Sequence, residues 1–271
     1  MDCANGSNSY IAYQVLKDLK CNVTTINYNP NGININKNCG STHLDMLCEE
    51  IKKGKYDLGL AFDGDADRVL FVTSDGEVVD GDVIMYLLAS HLKKENRLHH
   101  NTLVTTVMSN IGLYKSLDKI GIQVVTTSVG DKSVLDEMIK NNYSVGGEQS
   151  GHTIILKDSK FGDGLKTALA VFKALIDEGK SLKDVKDEVM IYPQLLENIV
   201  VKDKEEVLND NDINNCINRI KQKLKNNGRI LVRPSGTEPL IRVMVEASSD
   251  EKCKMYVSEV IDLIKEKGYQ K

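Results

Sequence analysis

The chain has 271 residues, a formal net charge of −4 and a sequence pI near 5.8. Its 41% hydrophobic and 27% charged residues are typical of a globular protein and exclude a disordered or collagen-like chain. The acidic balance gives no basic field that would recruit nucleic acid or an anionic membrane surface. The longest apolar run, residues 83–89, is much shorter than the roughly 20 residues of a membrane helix.

Six cysteines are scattered without a C-x-x-C pair or a matching histidine cluster, which indicates neither a zinc site nor a disulfide framework. Reduced thiols and a polar, acidic start, MDCANGSNSY, predict a cytoplasmic protein.

Strand-like runs alternate with amphipathic helical stretches through about the first 185 residues, which predicts α/β domains. Ile11, Val15 and Leu19 recur at helical spacing, as do Leu165 and Leu169 with Val171 and Leu175 beside them, and we expect both stripes to cover a sheet. The predicted strands are 22–26, 56–62, 69–73, 102–107, 122–127, and 144–145 with 152–156.

The pattern changes after Pro193. It predicts a strand at 195–201, a helix at 212–224, a hairpin of 229–232 and 240–246, and a final helix at 250–265. We therefore expect two consecutive α/β domains, 1–98 and 99–187, followed by a smaller α+β domain, 188–271.

Residues 1–6 read as the end of a strand that runs into a glycine turn and a helix. Because a domain rarely begins inside its own first strand, we expect this chain to be the C-terminal portion of a longer protein.

The sharpest motif is DGDADR, residues 63–68, at the end of an apolar strand. Asp63, Asp65 and Asp67 repel one another, and a hard cation such as Mg²⁺ is the usual reason to hold such carboxylates together. An EF-hand would need glycine in place of Arg68 and glutamate in place of Ser74. A DxD phosphatase nucleophile and a solvated acidic turn are two further interpretations of the same residues.

A second motif is GGEQSGH, residues 146–152. Its glycines predict close approach of a ligand to the backbone, and Glu148, Ser150 and His152 offer groups suited to a polyhydroxylated ligand. A histidine after a turn is also often structural.

The third motif is RPSGTEPLIR, residues 233–242. Its Ser-Gly-Thr turn offers backbone N–H groups and hydroxyls, and Arg233 and Arg242 can pair with phosphate oxygens, although a plain hairpin is the simpler interpretation. A smaller candidate is the turn V-G-D-K, residues 129–132, where Lys132 and a helix N-terminus could meet an anion. Asp131 can equally be a helix cap.

In this order and spacing, the three motifs resemble the α-D-phosphohexomutase superfamily, most closely its bacterial phosphoglucosamine mutase branch. The resemblance spans essentially the whole chain and includes DCANG at 2–6, NGININ at 31–36, CGSTH at 39–43 and GDGL at 162–165. The branch has Arg-Tyr where this chain has Lys132-Ser133.

The resemblance implies interconversion of glucosamine 6-phosphate and glucosamine 1-phosphate through a phosphoserine and a 1,6-bisphosphate, for amino-sugar nucleotide and cell-wall precursor synthesis. It implies Mg²⁺ on the three aspartates, and glucosamine or glucose 1,6-bisphosphate as activator. The remaining roles that it implies are Arg68 at the transferring phosphoryl group, Glu148 and Ser150 at sugar hydroxyls, Lys132 or His152 at proton transfer, and Arg233, Ser235, Gly236, Thr237 and Arg242 at the second phosphate.

The family's phosphoserine loop, a Thr/Ser-Ala-Ser-His-Asn-Pro stretch, occurs nowhere in these residues. We therefore expect this chain to correspond to family domains two, three and four, to be inactive alone, and to need the N-terminal domain of the same enzyme as its partner. The competing hypotheses are a phosphomannomutase or phosphoglucomutase, a non-catalytic sugar-phosphate binding module and a metal-dependent phosphatase.

Overall fold

Ten α-helices and ten β-strands form the regular structure of the chain, and a computed structural model describes every residue from Met1 to Lys271. The chain divides into an N-terminal unit, residues 1–109 with 113–190, and a C-terminal unit, residues 110–112 with 191–271. No helix is both long enough and apolar enough to cross a membrane. All six cysteines are free thiols.

The N-terminal unit contains seven helices and seven strands in mixed order, except that the first two residues of α4 belong to the C-terminal unit. They are α1 (Asn8–Asp18), α2 (Asp45–Lys53), β1 (Leu58–Phe62), β2 (Val69–Thr73), β3 (Val78–Val79), α3 (Gly81–Lys94), β4 (Thr102–Thr106), α4 (Ile111–Lys119), β5 (Gln123–Thr127), α5 (Asp131–Asn141), β6 (Val145–Gly147), β7 (Thr153–Ile155), α6 (Gly164–Glu178) and α7 (Leu182–Glu188).

Two sheets lie in this unit. The first is antiparallel, in the order β1-β2-β3, and its β1–β2 ladder closes on Phe62 opposite Val69, so that residues 63–68 form the connecting loop. The second has the order β5-β4-β6-β7, with parallel pairs except between β6 and β7. Helix α3 is buried along most of its length, and its side chains join those of both sheets in one core.

The first residues of the chain run beside β1. The N–H of Asp2 donates to Leu60 O at 2.7 Å, and the N–H of Phe62 donates to Asp2 O at 3.0 Å. The extended start predicted from the sequence is therefore confirmed. The predicted strand at 22–26 is reduced to a single bridge between Ile26 and Asp2.

The predicted inward stripe of α1 is wrong. Ile11 and Leu19 are 61% and 56% exposed, whereas the buried side of the helix carries Ala12 and Leu16 with two polar residues. Just before the helix, Gly6 packs so closely on the backbone of Gly64 that a Cβ would lie 2.2 Å from its carbonyl oxygen. The stripe predicted for α6 is partly right, since Val171 and Leu175 are buried.

The C-terminal unit has one antiparallel sheet, in the order β8-β10-β9, with two long amphipathic helices packed on it. Its elements are β8 (Gln194–Val200), α8 (Lys204–Asn209), α9 (Asn211–Leu224), β9 (Arg229–Pro234), β10 (Leu240–Glu246) and α10 (Asp250–Glu266). The sequence predicted all of these except α8. The predicted domain limits at 98/99 and 187/188 stay predictions.

Candidate functional site

The acidic loop, residues 63–68, holds its three carboxylates together. One carboxylate oxygen from each of Asp63, Asp65 and Asp67 lies within 4.8 Å of the other two. Asp63 is buried, Asp65 is exposed and Asp67 is in between. Because Asp65 reaches solvent while Asp63 lies in the protein, the cluster has one open side through which an ion could enter.

The backbone of the protein fixes the shape of this loop. The N–H of Arg68 donates to Asp63 Oδ1 at 3.1 Å, and the N–H of Ser7 donates to Gly64 O at 2.9 Å. Ala66 has a positive φ of 64°, and its carbonyl oxygen accepts from the N–H of Gly164 at 2.9 Å. No sequence motif predicts that Ser7 and Gly164 contact this loop, which they reach from two distant parts of the chain.

The loop carries more negative charge than its surroundings neutralise. Burial, and next the hydrogen-bonded Asp67 carboxyl, raise the pKa of Asp63 from 3.8 to about 7. Asp67 Oδ1 is buried and has no hydrogen-bond partner. Arg68 Nε lies 3.8 Å from Asp67 Oδ1 and 3.9 Å from Asp63 Oδ2, beyond hydrogen-bonding distance. Mg²⁺ prefers oxygen ligands. The three carboxylates of the loop, with the unpartnered Asp67 Oδ1 and a negative charge that Arg68 does not neutralise, therefore fit a Mg²⁺ ion.

The loop that contains Glu148, Ser150 and His152 lies beside the acidic loop. The N–H of Val69 donates to Gly151 O at 3.2 Å, and Arg68 pairs with His152 in an antiparallel bridge. His152 Nε2 lies 3.5 Å from Asp67 Oδ2. The structure thus brings together two motifs that are about eighty residues apart in the sequence.

His152 is 4% exposed, and its ring packs on Gly162. Its Nδ1 is buried without a hydrogen-bond partner. The imidazole therefore lies beneath Asp67, in a place to position that carboxylate.

The glycines of this second loop allow close packing of the protein backbone, and the prediction that they also admit a ligand stays a prediction. A Cβ on Gly147 would lie 2.3 Å from His152 O, and one on Gly151, which has a φ of 95°, would lie 2.6 Å from Val69 O. Both glycines are needed because β6, the loop and the start of β2 approach one another so closely.

Two further contacts support the loop from positions outside the predicted motif. Gln149 Nε2 donates to Asp80 Oδ2 at 3.1 Å, while the other oxygen of Asp80 caps α3. The N–H of Gly130 donates to Glu148 Oε1 at 2.9 Å. An aspartate just before an apolar helical run, such as Asp80, is typical of a helix N-cap. No local sequence pattern indicates that Asp80 also contacts Gln149.

The turn that carries Lys132 is therefore linked to Glu148 through Gly130. Lys132 is exposed at the start of α5, and Asp131 Oδ1 accepts from the Lys132 N–H at 2.8 Å. Ser150 is exposed, with its hydroxyl 3.5 Å from Glu148 Oε2. The carboxylate of Glu148, the hydroxyl of Ser150 and the cationic side chain of Lys132 thus lie along one edge of the second sheet.

In the C-terminal unit, Arg233 and Arg242 come from the facing strands β9 and β10. Burial, and next the charge of Arg242, lower the pKa of Arg233. Arg242 Nε is buried without a hydrogen-bond partner, and Nη2 lies 3.4 Å from Glu238 Oε2. An unpartnered guanidinium donor beside a second positive charge is suited to an anion.

The turn between these strands offers fewer hydroxyls than predicted. Ser235 is 3% exposed, and its Oγ accepts from the N–H of Glu238 at 3.3 Å, so this hydroxyl stabilises the turn. Gly236 and Thr237 are exposed. Lys204, which belongs to none of the predicted motifs, donates to Ser235 O at 2.8 Å and so holds the turn from α8.

The sheets and the acidic loop define a mixed α/β protein with a carboxylate cluster suited to a divalent cation. Three sequence models of the phosphoglucomutase/phosphomannomutase family match the chain: alpha/beta/alpha domain II over residues 1–76, alpha/beta/alpha domain III over 80–192, and the C-terminal domain over 196–263. The chain belongs to this family of the phosphohexomutase superfamily, which confirms the family and the fold class predicted from the sequence.

Among curated relatives, the chain is 48% identical over 266 residues to the phosphoglucosamine mutase of Shouchella clausii and 47% identical over 265 residues to that of Bacillus subtilis. Each match covers 98% of this chain, and 60% and 59% of the relative. The chain thus spans about 60% of the length of these relatives.

Solved structures share the fold at low sequence identity. The Aspergillus fumigatus N-acetylphosphoglucosamine mutase in complex with GlcNAc-6P and magnesium has a TM-score of 0.80 at 20% identity, covering 97% of this chain and 64% of that one. A variant of the same enzyme in complex with glucose 1,6-bisphosphate has a TM-score of 0.79 at 21% identity, covering 99% and 60%.

Proposed function

We propose that this chain supplies the metal-binding, sugar-binding and phosphate-binding parts of a mutase that interconverts glucosamine 6-phosphate and glucosamine 1-phosphate. The observation that carries the proposal is the junction of the acidic loop with the loop of Glu148 and Ser150. At this junction the proposed cation site would lie beside the proposed acceptors for sugar hydroxyls. The two curated relatives, both phosphoglucosamine mutases, support the choice of substrate.

The metal-binding role belongs to Asp63, Asp65 and Asp67. A Mg²⁺ ion on their carboxylates would neutralise phosphate charge during phosphoryl transfer. His152 would hold Asp67 in place. Arg68, with a side chain 42% exposed and Nε unpartnered, can turn toward a phosphoryl oxygen on the solvent side.

Substrate positioning belongs to Glu148 and Ser150, whose Oε and Oγ atoms would bind sugar hydroxyls. Such positioning matters because phosphoryl transfer depends mainly on alignment and charge stabilisation. For proton transfer we propose Lys132 Nζ, since Lys132 is exposed in the turn that contacts Glu148, whereas His152 is buried beneath Asp67.

The C-terminal unit would bind the phosphate group that is not transferred. Arg233 and Arg242 supply charge-assisted donors, and the exposed turn at Gly236 and Thr237 supplies backbone N–H groups, while Ser235 maintains the shape of the turn. Sugar-phosphate substrates and six free thiols support a cytoplasmic location.

Turnover would need a phosphoserine loop, which these 271 residues do not contain. The test compares the purified chain alone with the chain plus the N-terminal portion of the Bacillus subtilis relative that it does not match. We expect the chain alone to bind glucosamine 6-phosphate but not to interconvert the two phosphates, because these residues include no phosphoserine loop to hold the transferred phosphoryl group. Addition of the missing portion, with Mg²⁺ and glucose 1,6-bisphosphate, should restore turnover.

Interconversion by the chain alone would refute the role of the missing loop. Failure to bind any sugar phosphate would refute the proposed function, and phosphate release without interconversion would point to a phosphatase.

A further inference from the structure

A histidine and two carboxylates meet on the facing helices α3 and α6 of the N-terminal unit. His91 lies near the end of α3, Glu95 lies one turn further along the chain, and Asp177 lies near the end of α6. His91 Nε2 is 3.5 Å from Glu95 Oε1 and 3.5 Å from Asp177 Oδ2. None of these residues takes part in the function proposed above.

The two separations from His91 Nε2 match a small tetrahedral metal site, and the three ligand atoms all lie within 4.8 Å of one another. Two ligands at about 2.0 to 2.1 Å from Zn²⁺ in a tetrahedron lie roughly 3.3 Å apart, close to the two separations seen here. One imidazole nitrogen with carboxylate oxygens is a donor set for zinc and its neighbours in the transition series, whereas Mg²⁺ and Ca²⁺ prefer oxygen alone.

A cation from the protein already occupies this position. Lys173 Nζ lies 2.8 Å from Glu95 Oε1, 2.5 Å from Asp177 Oδ2 and 3.4 Å from His91 Nε2. The lysine side chain is 54% exposed, so it can leave toward solvent without disturbing the core. The same three atoms therefore already bind positive charge, and the group that occupies the position is displaceable.

A fourth residue prepares the histidine to act as a ligand. Glu178 has a side chain that is only 6% exposed, and its Oε1 is buried without a hydrogen-bond partner, 3.8 Å from His91 Nδ1. A proton on Nδ1 would point toward this carboxylate and leave the Nε2 lone pair for a metal. Carboxylates commonly hold metal-binding histidines in this way.

His91 and Lys173, together with Leu88 and Leu169, line a cavity of about 630 Å³, whereas Glu95 and Asp177 lie outside its lining. The cavity gives an ion a path to Nε2 and leaves room for a water as fourth ligand. Structural zinc sites use four protein ligands, whereas three protein ligands and an open position are typical of sites that exchange a bound water.

We propose that His91, Glu95 and Asp177 form a binding site for a transition-metal dication, typified by Zn²⁺, which displaces the Lys173 ammonium. Bound metal would tie α3 to α6 at the end of each helix and stabilise the N-terminal unit. The site shares no residue with the acidic loop, so its occupancy and Mg²⁺ binding are measurable independently.

The test is a titration of the 271-residue chain with Co²⁺, followed by its visible absorption, with excess Mg²⁺ present to saturate the acidic loop. We expect one Co²⁺ to bind with a d–d spectrum and no thiolate charge-transfer band, which excludes the free cysteines as ligands. His91→Gln should abolish this binding, while His43→Gln, at an exposed histidine elsewhere in the same unit, should not.

Lys173→Met gives the decisive result because it removes the competing cation without removing a ligand. It should tighten Co²⁺ binding roughly tenfold or more. Lys166→Met is the matched control, since Lys166 lies on the same helix and lines the same cavity but pairs with Asp163 and none of the three ligands. Unchanged affinity in Lys173→Met, or binding that survives His91→Gln, would overturn the proposal.

Discussion

Arg233 and Arg242 lie directly opposite each other in the β9–β10 hairpin, at paired positions of the antiparallel register. Like charges at opposed positions destabilise a sheet. An anion between the two guanidinium groups would reduce that repulsion, which is what the proposed phosphate-binding role of the pair requires.

The first prediction is that Arg242→Gln weakens binding of glucosamine 6-phosphate by about 1.5 to 3 kcal/mol, the range for a hydrogen bond to a charged group. The free protein should be no less stable than the parent, because the substitution removes the repulsion with Arg233. Calorimetry measures the affinity and thermal unfolding measures the stability.

Arg219→Gln is the control for this variant, since Arg219 is an exposed arginine of the same unit that pairs with Glu259. If Arg242→Gln kept full affinity with an intact fold, the plain-hairpin interpretation would stand.

The second prediction concerns Mg²⁺ and the exposed member of the acidic loop. Asp65→Ala should weaken Mg²⁺ binding about tenfold or more, because an incomplete set of oxygen ligands remains. Asp65 is exposed, so the fold should tolerate its loss. Asp57→Ala, at an exposed aspartate just before β1, is the matched control, and indistinguishable calorimetric curves for the two variants would contradict the metal assignment.

The third prediction is that Asp63→Asn stabilises the metal-free chain above pH 7. The pKa of Asp63 is about 7 in the folded protein against 3.8 as the ordinary value. The folded state therefore binds more protons between these values, and stability falls as pH rises through this window. Asparagine stays neutral and can still accept from the Arg68 N–H, which removes the loss.

The gain should be about 1 to 2 kcal/mol at pH 8 in the presence of a chelator, less than the full pKa shift implies, because solvent reaches the loop and screens its charges. At pH 4 parent and variant should unfold alike. Urea unfolding at both pH values checks this, with Asp57→Asn as control, and a variant that is less stable at pH 8 would count against an uncompensated Asp63 charge.

The fold was predictable from the sequence where local pattern and tertiary environment agree. Strand β2 was predicted at its observed limits, and β10 likewise, because apolar runs and flanking turns mark them. The segment 22–26 has the composition of a strand, but its one β-bridge joins Ile26 to Asp2, which in turn bridges to Ala61 of β1. The apolar spacing of helix α1 predicted the wrong face, because its buried side carries Ala12 and Leu16 with two polar residues while Ile11 and Leu19 are exposed.

The candidate site also combines features that local sequence predicts with features that depend on tertiary contacts. The acidic loop was predictable because Asp63, Asp65 and Asp67 are neighbours in sequence. Sequence alone could not show that Asp80 anchors Gln149 or that His152 lies under Asp67, because both contacts depend on how β2 and β6 meet. The pairing of Arg233 with Arg242 lies between these cases, since a hairpin was predicted but its register was not.

The last prediction concerns the buried ion pair of the C-terminal unit. Glu246 is fully buried at the end of β10 and accepts from Arg229 at 2.8 and 2.9 Å through its two carboxylate oxygens, and from the N–H of Ile111 at 2.9 Å. Glu246→Gln should cost about 2 to 3 kcal/mol of unfolding free energy, because it removes a fully buried negative charge that compensates the partly buried Arg229.

Glu259→Gln, at the partly exposed pair with Arg219, is the matched control and should cost under about 1 kcal/mol. Denaturant unfolding of both variants measures the difference, and phosphate binding by the folded protein should be unaffected in each. Equal losses in the two variants would mean that the buried pair contributes no more than a surface one, in which case the Ile111 N–H and the packing of β10 would have to hold this end of the sheet.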